Sequence, residues 1–259
     1  MKNVFCSLLL TFALTAFSQA VTITEDFDDY SGGTTGTAAG WVGLFGGNPD
    51  NWTVTVPPTA GDPSTASFVE GSGTSDMQMY KTFDIANTFT SSDTVYYSVW
   101  VRPQQTGGLV KGIRFGATTS DNKPTYLFGV SATDATLSTF RFFVGSEVST
   151  NLYDANDWYQ LMLVIDQSTG STNATGTLMA RNVTDGETVF STVAGLENIS
   201  LGLTSSTEVS DWTAWLIRSS YRQEIDNLYL STNIPERSSV AAMLGIFALL
   251  AGLILRRRK

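Results

Sequence analysis

Apolar and polar residues alternate through the middle of this chain, and the alternation predicts β-strands. The two clearest strands, Asp93–Arg102 and Trp158–Asp166, each direct four apolar side chains to one face. Those side chains are Val95, Tyr97, Val99 and Val101 in the first strand, and Tyr159, Leu161, Leu163 and Ile165 in the second. Further strands are predicted at Met77–Ile85, Lys111–Phe115, Thr125–Val130, Thr139–Val144, Thr177–Val183, Thr188–Val193, Thr213–Ile217 and Glu224–Leu230. These segments, with no long amphipathic helix, predict an all-β fold, a two-sheet antiparallel sandwich of the jelly-roll type.

The N-terminal segment breaks this pattern. Residues 1–20 carry Lys2, then a mostly apolar run, then the small residues Ser18 and Ala20. This arrangement predicts a signal peptide that is cleaved after Ala20. Cys6, the only cysteine, leaves with it, so the mature chain has no disulfide. Residues 21–233 contain no linker and are predicted to form one domain of ordinary size.

The C-terminal segment, residues 234–259, combines a Pro-Glu pair, an apolar run and a basic end. The run at 240–255 predicts a transmembrane helix, but 16 residues reach only about 24 Å, less than the roughly 30 Å hydrocarbon core. This arrangement resembles the PEP-CTERM sorting signal, although Arg237 stands where that motif has its second proline. The residues that carry the resemblance are Pro235, Glu236, Arg256, Arg257 and Arg258.

The resemblance of this tail to the PEP-CTERM signal implies a destination for the protein. Such signals are recognised by an exosortase-type processing enzyme, so the tail would hold the protein in the inner membrane transiently, with its basic end on the cytoplasmic side. The processed protein would then reach the cell envelope, the outer surface or the extracellular matrix of a Gram-negative bacterium. An ordinary single-pass anchor is the alternative interpretation.

Charge and the absence of histidine exclude several functions. The chain has a net charge of −9, and the two tails hold six of its 15 basic and one of its 24 acidic residues. Residues 21–233 therefore carry 23 acidic and 9 basic side chains, a net charge of −14, which disfavours nucleic acid as a partner. Without histidine there is no Ser-His-Asp triad and no imidazole-bound zinc.

Three segments resemble, in order and spacing, the laminin-G-like and concanavalin-A-like jelly-roll family: Val95–Pro103, Asn156–Ala180 and Glu224–Ser231. The opening Glu25–Tyr30 also resembles the E-x-F-D-x-Y start of exported bacterial members. The resemblance implies a jelly roll whose closing strand lies beside its first strand. The family includes lectins, glycan-binding modules, glucanases and structural domains, so the fold does not select a function.

An enzyme of this fold would need a pair of carboxylates. Retaining glucanases on this scaffold resemble E-[IL]-D-x-x-E, with their two carboxylates about 5 to 5.5 Å apart. Glu224, Ile225 and Asp226 match the start of that motif, but Tyr229 stands where the second glutamate belongs. The sequence therefore predicts no catalytic residues.

Acidic residues at both ends of the domain raise the question of calcium. Glu25 and Asp26 lie on or next to the first strand and Asp226 lies on the last, so pairing of these strands would bring the three together. Calcium binds six to eight oxygen ligands, which neighbouring carboxylates and carbonyls can supply. The alternative is a solvated sheet edge whose charges prevent unwanted strand pairing.

Tryptophans raise the question of sugar binding. The family resemblance places Trp100 and Trp158 in the core. Four others lie in or near Gly-, Asn- or Ser-rich stretches, where an exposed ring can stack on a sugar; they are Trp41, Trp52, Trp212 and Trp215. Trp212 is the best single candidate. Burial is the alternative interpretation, because most tryptophans are largely buried.

Together these patterns predict an exported, non-catalytic cell-surface or extracellular-matrix protein, with polysaccharide as its candidate ligand. A glycan-cleaving enzyme with an unfamiliar carboxylate pair and a purely structural surface domain remain as alternatives. Calcium is the one cofactor considered.

Overall fold

The structure is a computed structural model that describes residues 22–56, 66–70, 77–84, 86, 89–90, 93–106, 109–110, 112–121, 123–131, 138–219 and 223–232. The predicted signal peptide and the tail, with Pro235, Glu236, the helix at 240–255 and the basic end, lie outside these residues. No helix within the described ranges is long and apolar enough to cross a membrane.

The described chain consists of short strands joined by turns. The strands are β1 (Thr22–Glu25), β2 (Val42–Leu44), β3 (Trp52–Thr55), β4 (Ser67–Glu70), β5 (Met77–Thr82), β6 (Val95–Pro103), β7 (Gln105–Thr106), β8 (Leu109–Val110), β9 (Ile113–Thr119), β10 (Pro124–Ser131), β11 (Thr139–Val144), β12 (Glu147–Val148), β13 (Tyr153–Asp154), β14 (Tyr159–Asp166), β15 (Thr175–Asn182), β16 (Ser191–Thr192), β17 (Ile199–Ser200), β18 (Trp212–Ser219) and β19 (Gln223–Ser231). Single 3₁₀ turns lie at Phe27–Asp29, Pro49–Asn51, Ser171–Asn173 and Val209–Asp211.

Two antiparallel sheets form a sandwich. Sheet 1 has the strand order β16-β15-β14-β6-β19-β4-β3, with β1 paired to β19 and β17 to β15. Sheet 2 has the order β12-β11-β10-β9-β18-β5-β2, with β13 paired to β11. The short strands β7 and β8 pair with each other. The prediction of an all-β, two-sheet antiparallel fold is confirmed.

Most predicted strands are present, and the first and last strands pair as expected. Thr22 lies opposite Ser231 and Glu25 opposite Leu228. The apolar faces predicted for β6 and β14 are both in the core. The predicted strand Thr188–Val193 is wrong in extent, because only Ser191 and Thr192 pair with β15.

The inner faces of the two sheets pack into one core, and Tyr97 links them directly. Its hydroxyl, on sheet 1, donates to the Gly116 carbonyl of sheet 2 at 2.9 Å. Its ring contacts Phe128 edge-on at 5.1 Å and Trp215 at 5.3 Å. Burial raises the pKa of the Tyr97 hydroxyl far above its usual value, so the group stays a neutral hydrogen-bond donor. The core therefore fixes how the sheets lie on each other.

Candidate functional site

The four tryptophans predicted to bind sugar are all buried, and that prediction is wrong. Trp41, Trp52, Trp212 and Trp215 have exposed fractions of 1%, 0%, 0% and 1%. Trp52 lies on β3, and Trp212 and Trp215 lie on β18. Each of the four rings faces inward, where burial of a large aromatic surface is most favourable. These four rings therefore offer no exposed face on which a sugar could stack.

The contacts of these rings explain their burial. Trp41 and Trp52 pack on Phe68 with ring centroids 6.0 and 5.1 Å apart. The Trp212 indole donates to the Thr207 carbonyl at 3.1 Å, which satisfies its one polar group. Trp158 is also fully buried, but it lies outside the core cluster in which the resemblance placed it. Trp100 is buried too, but it lies on the outer face of sheet 1 under Arg181, outside the core cluster.

The three predicted calcium ligands serve three separate contacts. Glu25 accepts a bond from Lys81 at 2.6 Å in the sandwich interior. Asp26 accepts from the Asp28 backbone N–H at the start of a 3₁₀ turn. Asp226 is fully buried and accepts from the backbone and side-chain amides of Asn227. In the part of the chain that the structure describes, no three His, Cys, Asp or Glu side chains are arranged to hold a metal ion.

Strand alternation explains why Glu25 and Asp226 do not converge. Glu25 lies opposite Leu228, a core residue, and so belongs to the inner face of sheet 1. Asp226 lies opposite Trp100, on the outer face. The strands pair as predicted, but their acidic side chains leave the sheet on opposite sides.

The closing strand also carries the carboxylates considered for catalysis. A bulge between Asp226 and Tyr229 shifts the register, so that Glu224, Asp226 and Tyr229 all lie on the outer face of sheet 1. Glu224 forms an ion pair with Arg102 at 3.3 Å and accepts a bond from Gln104. The bulge therefore places the position of the motif's second glutamate on the same face as Glu224 and Asp226, but Tyr229 occupies that position.

The outer face of sheet 2 has a different chemistry. Its five long strands, β5, β9, β10, β11 and β18, contain no aspartate or glutamate, and they carry four cations, Lys81, Arg114, Arg141 and Arg218. Sheet 1, in contrast, carries Glu25, Glu70, Asp166, Glu224 and Asp226 on its strands. The strongly acidic chain thus builds one sheet whose long strands are free of acidic residues.

The register places aromatic, amide and arginine side chains side by side on this outer face. Arg218 lies opposite both Gln78 and Arg114. One row along, Leu216 lies opposite both Tyr80 and Gly116. The next strand contributes Tyr126, which lies opposite Gly116. We call the five residues Gln78, Tyr80, Arg114, Tyr126 and Arg218 the sheet 2 face.

Tyr126 lies across this face. Its hydroxyl, from β10, donates to the Gln78 side-chain carbonyl on β5. Those strands are three apart in the sheet, a distance of about 14 Å, so the ring has to lie along the sheet. Gly116 has no side chain to obstruct it, and Leu216, although outward-facing, is fully buried. The result is an aromatic platform, with the Tyr80 ring half-buried in the same row.

The two arginines of the face each lie near an aromatic ring. The Arg218 guanidinium is 5.8 Å from the Tyr126 ring centroid, and the Arg114 guanidinium is 5.8 Å from that of Phe143. Arg114 is exposed, and none of the ion pairs among the described residues includes it. The other two cations of these strands have structural roles. Lys81 points inward to Glu25, and Arg141 donates to the carbonyls of Ser149 and Thr150.

A concavity of about 260 Å³ lies at the far edge of sheet 1. Its polar groups bond mainly to one another. Asn182 donates to Asp185 at 2.8 Å and to Asp157 at 2.9 Å, and its backbone N–H donates to Glu187 at 2.7 Å. Burial raises the pKa of the Tyr159 hydroxyl, which donates to the Asp154 carbonyl. These bonds stabilise a hairpin, and the rings of Tyr153 and Tyr159 line the cleft beside it.

No protein-family model and no curated protein matches the sequence. Among solved structures, the T. cruzi calreticulin globular domain is similar, with 9% identity, a TM-score of 0.46, and coverage of 91% of this chain and 98% of that one. The catalytic domain of the glycoside hydrolase family 131 protein from Coprinopsis cinerea has 12% identity, a TM-score of 0.44, and coverage of 87% and 89%. The arabinose-bound MgGH51 α-L-arabinofuranosidase is also similar, with 9% identity and a TM-score of 0.42. The match covers 81% of this chain but only 26% of that longer chain. Likenesses this distant assign no activity and no ligand.

Sequence reasoning missed the sheet 2 face. Its residues occupy ordinary outward-facing positions of alternating strands, and no local sequence motif marks them. One signal was available in the sequence. Once these segments are taken as strands of one sheet, the absence of acidic residues from all of them is unusual in a domain with a net charge of −14.

Proposed function

We propose that this protein is a non-catalytic domain that binds polysaccharide through the sheet 2 face, as part of an exported cell-surface or matrix protein. The observation that carries the proposal is the position of Tyr126, whose ring lies along the face beside Tyr80 and bonds to Gln78. Flat aromatic surfaces flanked by amide and guanidinium donors suit sugar rings, which present both C–H faces and hydroxyls.

Binding is favoured over hydrolysis by the distribution of carboxylates. Glycoside hydrolysis needs two carboxyl groups beside the scissile bond, and the long strands under the sheet 2 face contain no aspartate or glutamate. On the opposite sheet, Glu224 is held by Arg102 and Gln104, and Asp226 by Asn227. The described carboxylates that resemble a catalytic motif are therefore engaged in structural contacts.

We expect Tyr126→Ala to weaken polysaccharide binding about 30-fold, because removing an aromatic anchor removes roughly 2 kcal/mol of binding energy. Tyr126→Phe keeps the ring, loses the hydroxyl that bonds to Gln78, and should retain most of the affinity. The measurement is a glycan array followed by titration calorimetry on the strongest ligand.

A matched control for this experiment is Tyr96→Ala. Tyr96 is also a half-buried tyrosine on a central strand, but it lies on the outer face of sheet 1. Equal losses for Tyr126→Ala and Tyr96→Ala would show a general loss of folding instead of a binding face. If no polysaccharide on the array binds the wild-type protein, the proposal fails and the structural-domain alternative replaces it.

We further propose that the sandwich is a laminin-G-like jelly roll. The three motif segments support this proposal, because they lie on β6, β14 and β19, which are neighbours in sheet 1. The pairing of β1 with β19 agrees with the closing strand implied by the resemblance.

We also propose export with processing at both ends. The expected mature protein begins after Ala20 and ends near Pro235, after cleavage by an exosortase-type enzyme. Intact-mass measurement of the protein recovered from the cell surface or matrix tests both ends. A mass that still includes residues 240–259 would leave the simple membrane anchor as the only interpretation of the tail.

A further inference from the structure

The cleft at the far edge of sheet 1 has no part in the function proposed above. One of its walls is formed by β13, which pairs with sheet 2, and the other by β15, β16 and the hairpin between them. Its volume of about 260 Å³ lies below the roughly 300–1,000 Å³ of sites for drug-sized ligands. A cleft of this size suits one small group, such as a single sugar ring.

Tyr153 forms the aromatic wall of the cleft. Its half-buried ring packs on the rings of Phe142, Tyr159 and Phe140, with centroids 4.4, 6.0 and 6.1 Å away. Within the described chain, its hydroxyl takes part in no hydrogen bond. The packing holds this tyrosine in place, so its hydroxyl is a positioned group that can donate to a ligand.

Glu187, on the hairpin, lies near this hydroxyl. Burial and, second, the charge of Glu187 raise the pKa of the Tyr153 hydroxyl, yet no hydrogen bond joins the two described side chains. One Glu187 carboxylate oxygen accepts from the Asn182 backbone N–H at 2.7 Å, which leaves the other available. A hydroxyl group placed between them would accept from Tyr153 and donate to Glu187, since a hydroxyl does both.

The hairpin that carries Glu187 is held by its own hydrogen bonds. The Glu187 backbone N–H donates to the Asn182 carbonyl at 3.0 Å, and the Gly186 N–H donates to the Val183 carbonyl at 3.0 Å. The Asn182 side chain donates to Asp185 and to Asp157 as well. Both walls are therefore ordered before a ligand arrives, which lowers the entropy lost on binding.

The charges that line the cleft limit its ligand. It contains three carboxylates, and no ion pair among the described residues includes any of them; they are Asp154, Asp185 and Glu187. Arg181, the cation in this lining, donates to the Gln160 side chain. The uncompensated negative charge repels acidic sugars, whereas carboxylate oxygens accept hydrogen bonds from the hydroxyls of neutral ones.

We propose that this cleft is a second sugar-binding site, which takes a single neutral sugar unit through a hydroxyl bound between Tyr153 and Glu187. It shares no residue with the sheet 2 face. The inference therefore goes beyond the proposed function, which uses that face alone. With both sites, one domain would contact two polysaccharide chains.

Titration calorimetry with cellohexaose, xylohexaose and N-acetylchitohexaose tests this site in the Tyr126→Ala protein, in which the sheet 2 face contributes little. We expect at least one of the three to bind. Tyr153→Phe removes the hydroxyl and keeps the packed ring, so it should weaken that binding about 5- to 10-fold with an unchanged melting temperature. Ser191→Trp places a large ring at an exposed position of the lining and should abolish binding.

A matched control is Tyr96→Phe, which also removes the hydroxyl of a half-buried tyrosine but on the outer face of sheet 1. It should leave the affinity unchanged. Equal affinities of the Tyr126→Ala protein with and without Tyr153→Phe would contradict the bridging hydroxyl. Chitosan hexamer binding at least tenfold more tightly than N-acetylchitohexaose, with the difference lost at high salt, would replace the neutral ligand with an amine.

The outcomes also separate this site from the sheet 2 face. Oligosaccharides that bind the wild-type protein but not Tyr126→Ala would overturn the cleft and leave the proposed function in place. Binding that survives Tyr126→Ala and is lost in Ser191→Trp would support the cleft and remove the sheet 2 face. Absence of binding of all three oligosaccharides to the wild-type protein would overturn the cleft, while the wider glycan array tests the sheet 2 face.

Discussion

Trp212→Ala should destabilise the protein by about 3–5 kcal/mol, the range seen when a buried tryptophan or phenylalanine is truncated in a core. The side chain has no exposed surface, and its indole donates to the Thr207 carbonyl. It also begins β18, which lies between β9 and β5 in the centre of sheet 2. The loss is large relative to a typical domain stability of about 5–15 kcal/mol.

Urea denaturation of Trp212→Ala beside Phe45→Ala measures this effect. Phe45 is also a large aromatic residue, but its exposed fraction is 74%, so its truncation should change stability by less than about 0.5 kcal/mol. A change below about 1 kcal/mol for Trp212→Ala would contradict the core position of its ring. Binding by the folded Trp212→Ala protein should remain, because the Trp212 ring belongs to the core cluster, on the other side of sheet 2 from the sheet 2 face.

Lys81→Met should destabilise the protein by about 3–5 kcal/mol, because it leaves the Glu25 carboxylate buried without its cation. The pair joins β1 of sheet 1 to β5 of sheet 2 at 2.6 Å, with side-chain exposures of 9% and 4%. The Lys81 ammonium also donates to the Tyr30 hydroxyl at 2.6 Å. These contacts tie the edge of one sheet to the other.

Burial and the ion pair have opposing effects on the pKa values of Glu25 and Lys81. Burial raises the pKa of the Glu25 carboxyl even though Lys81 donates to it. Burial alone would lower the pKa of the Lys81 ammonium, but its bonds to Glu25 and Tyr30 leave that pKa raised. Removing the ammonium therefore leaves a carboxylate whose charged form is already disfavoured.

A double-mutant cycle tests the ion pair. Glu25→Gln/Lys81→Met should be more stable than Lys81→Met, because it removes the uncompensated charge together with its partner. Lys123→Met, at the exposed ion pair with Asp121, should change stability little. Equal destabilisation in the single and double variants would show that packing, and not charge pairing, makes Lys81 important.

The closing strand shows a detail that strand alternation alone did not predict. A regular strand from Glu224 to Tyr229 would place these two residues on opposite faces, whereas the bulge places them on the same face. Asn227 adopts a positive φ of 48° within the bulge. Asparagine tolerates this conformation better than most residues, so the Asp-Asn pair was a weak local signal of the irregularity.

The sequence by itself determined most of the long strands and the core faces of β6 and β14, because alternation with a period of two is a local property of the chain. The pairing of the first and last strands was expected from the family resemblance and not from alternation. The sequence did not determine which aromatic rings would be buried, since Trp212 and Tyr126 both lie on strands of sheet 2 and differ in which face of that sheet carries the ring. Nor did it pair Arg114 with Arg218, which are 104 positions apart in the chain. Only strand order and register in the folded sheet bring such distant residues together, and that is why the candidate binding face belongs to the tertiary structure.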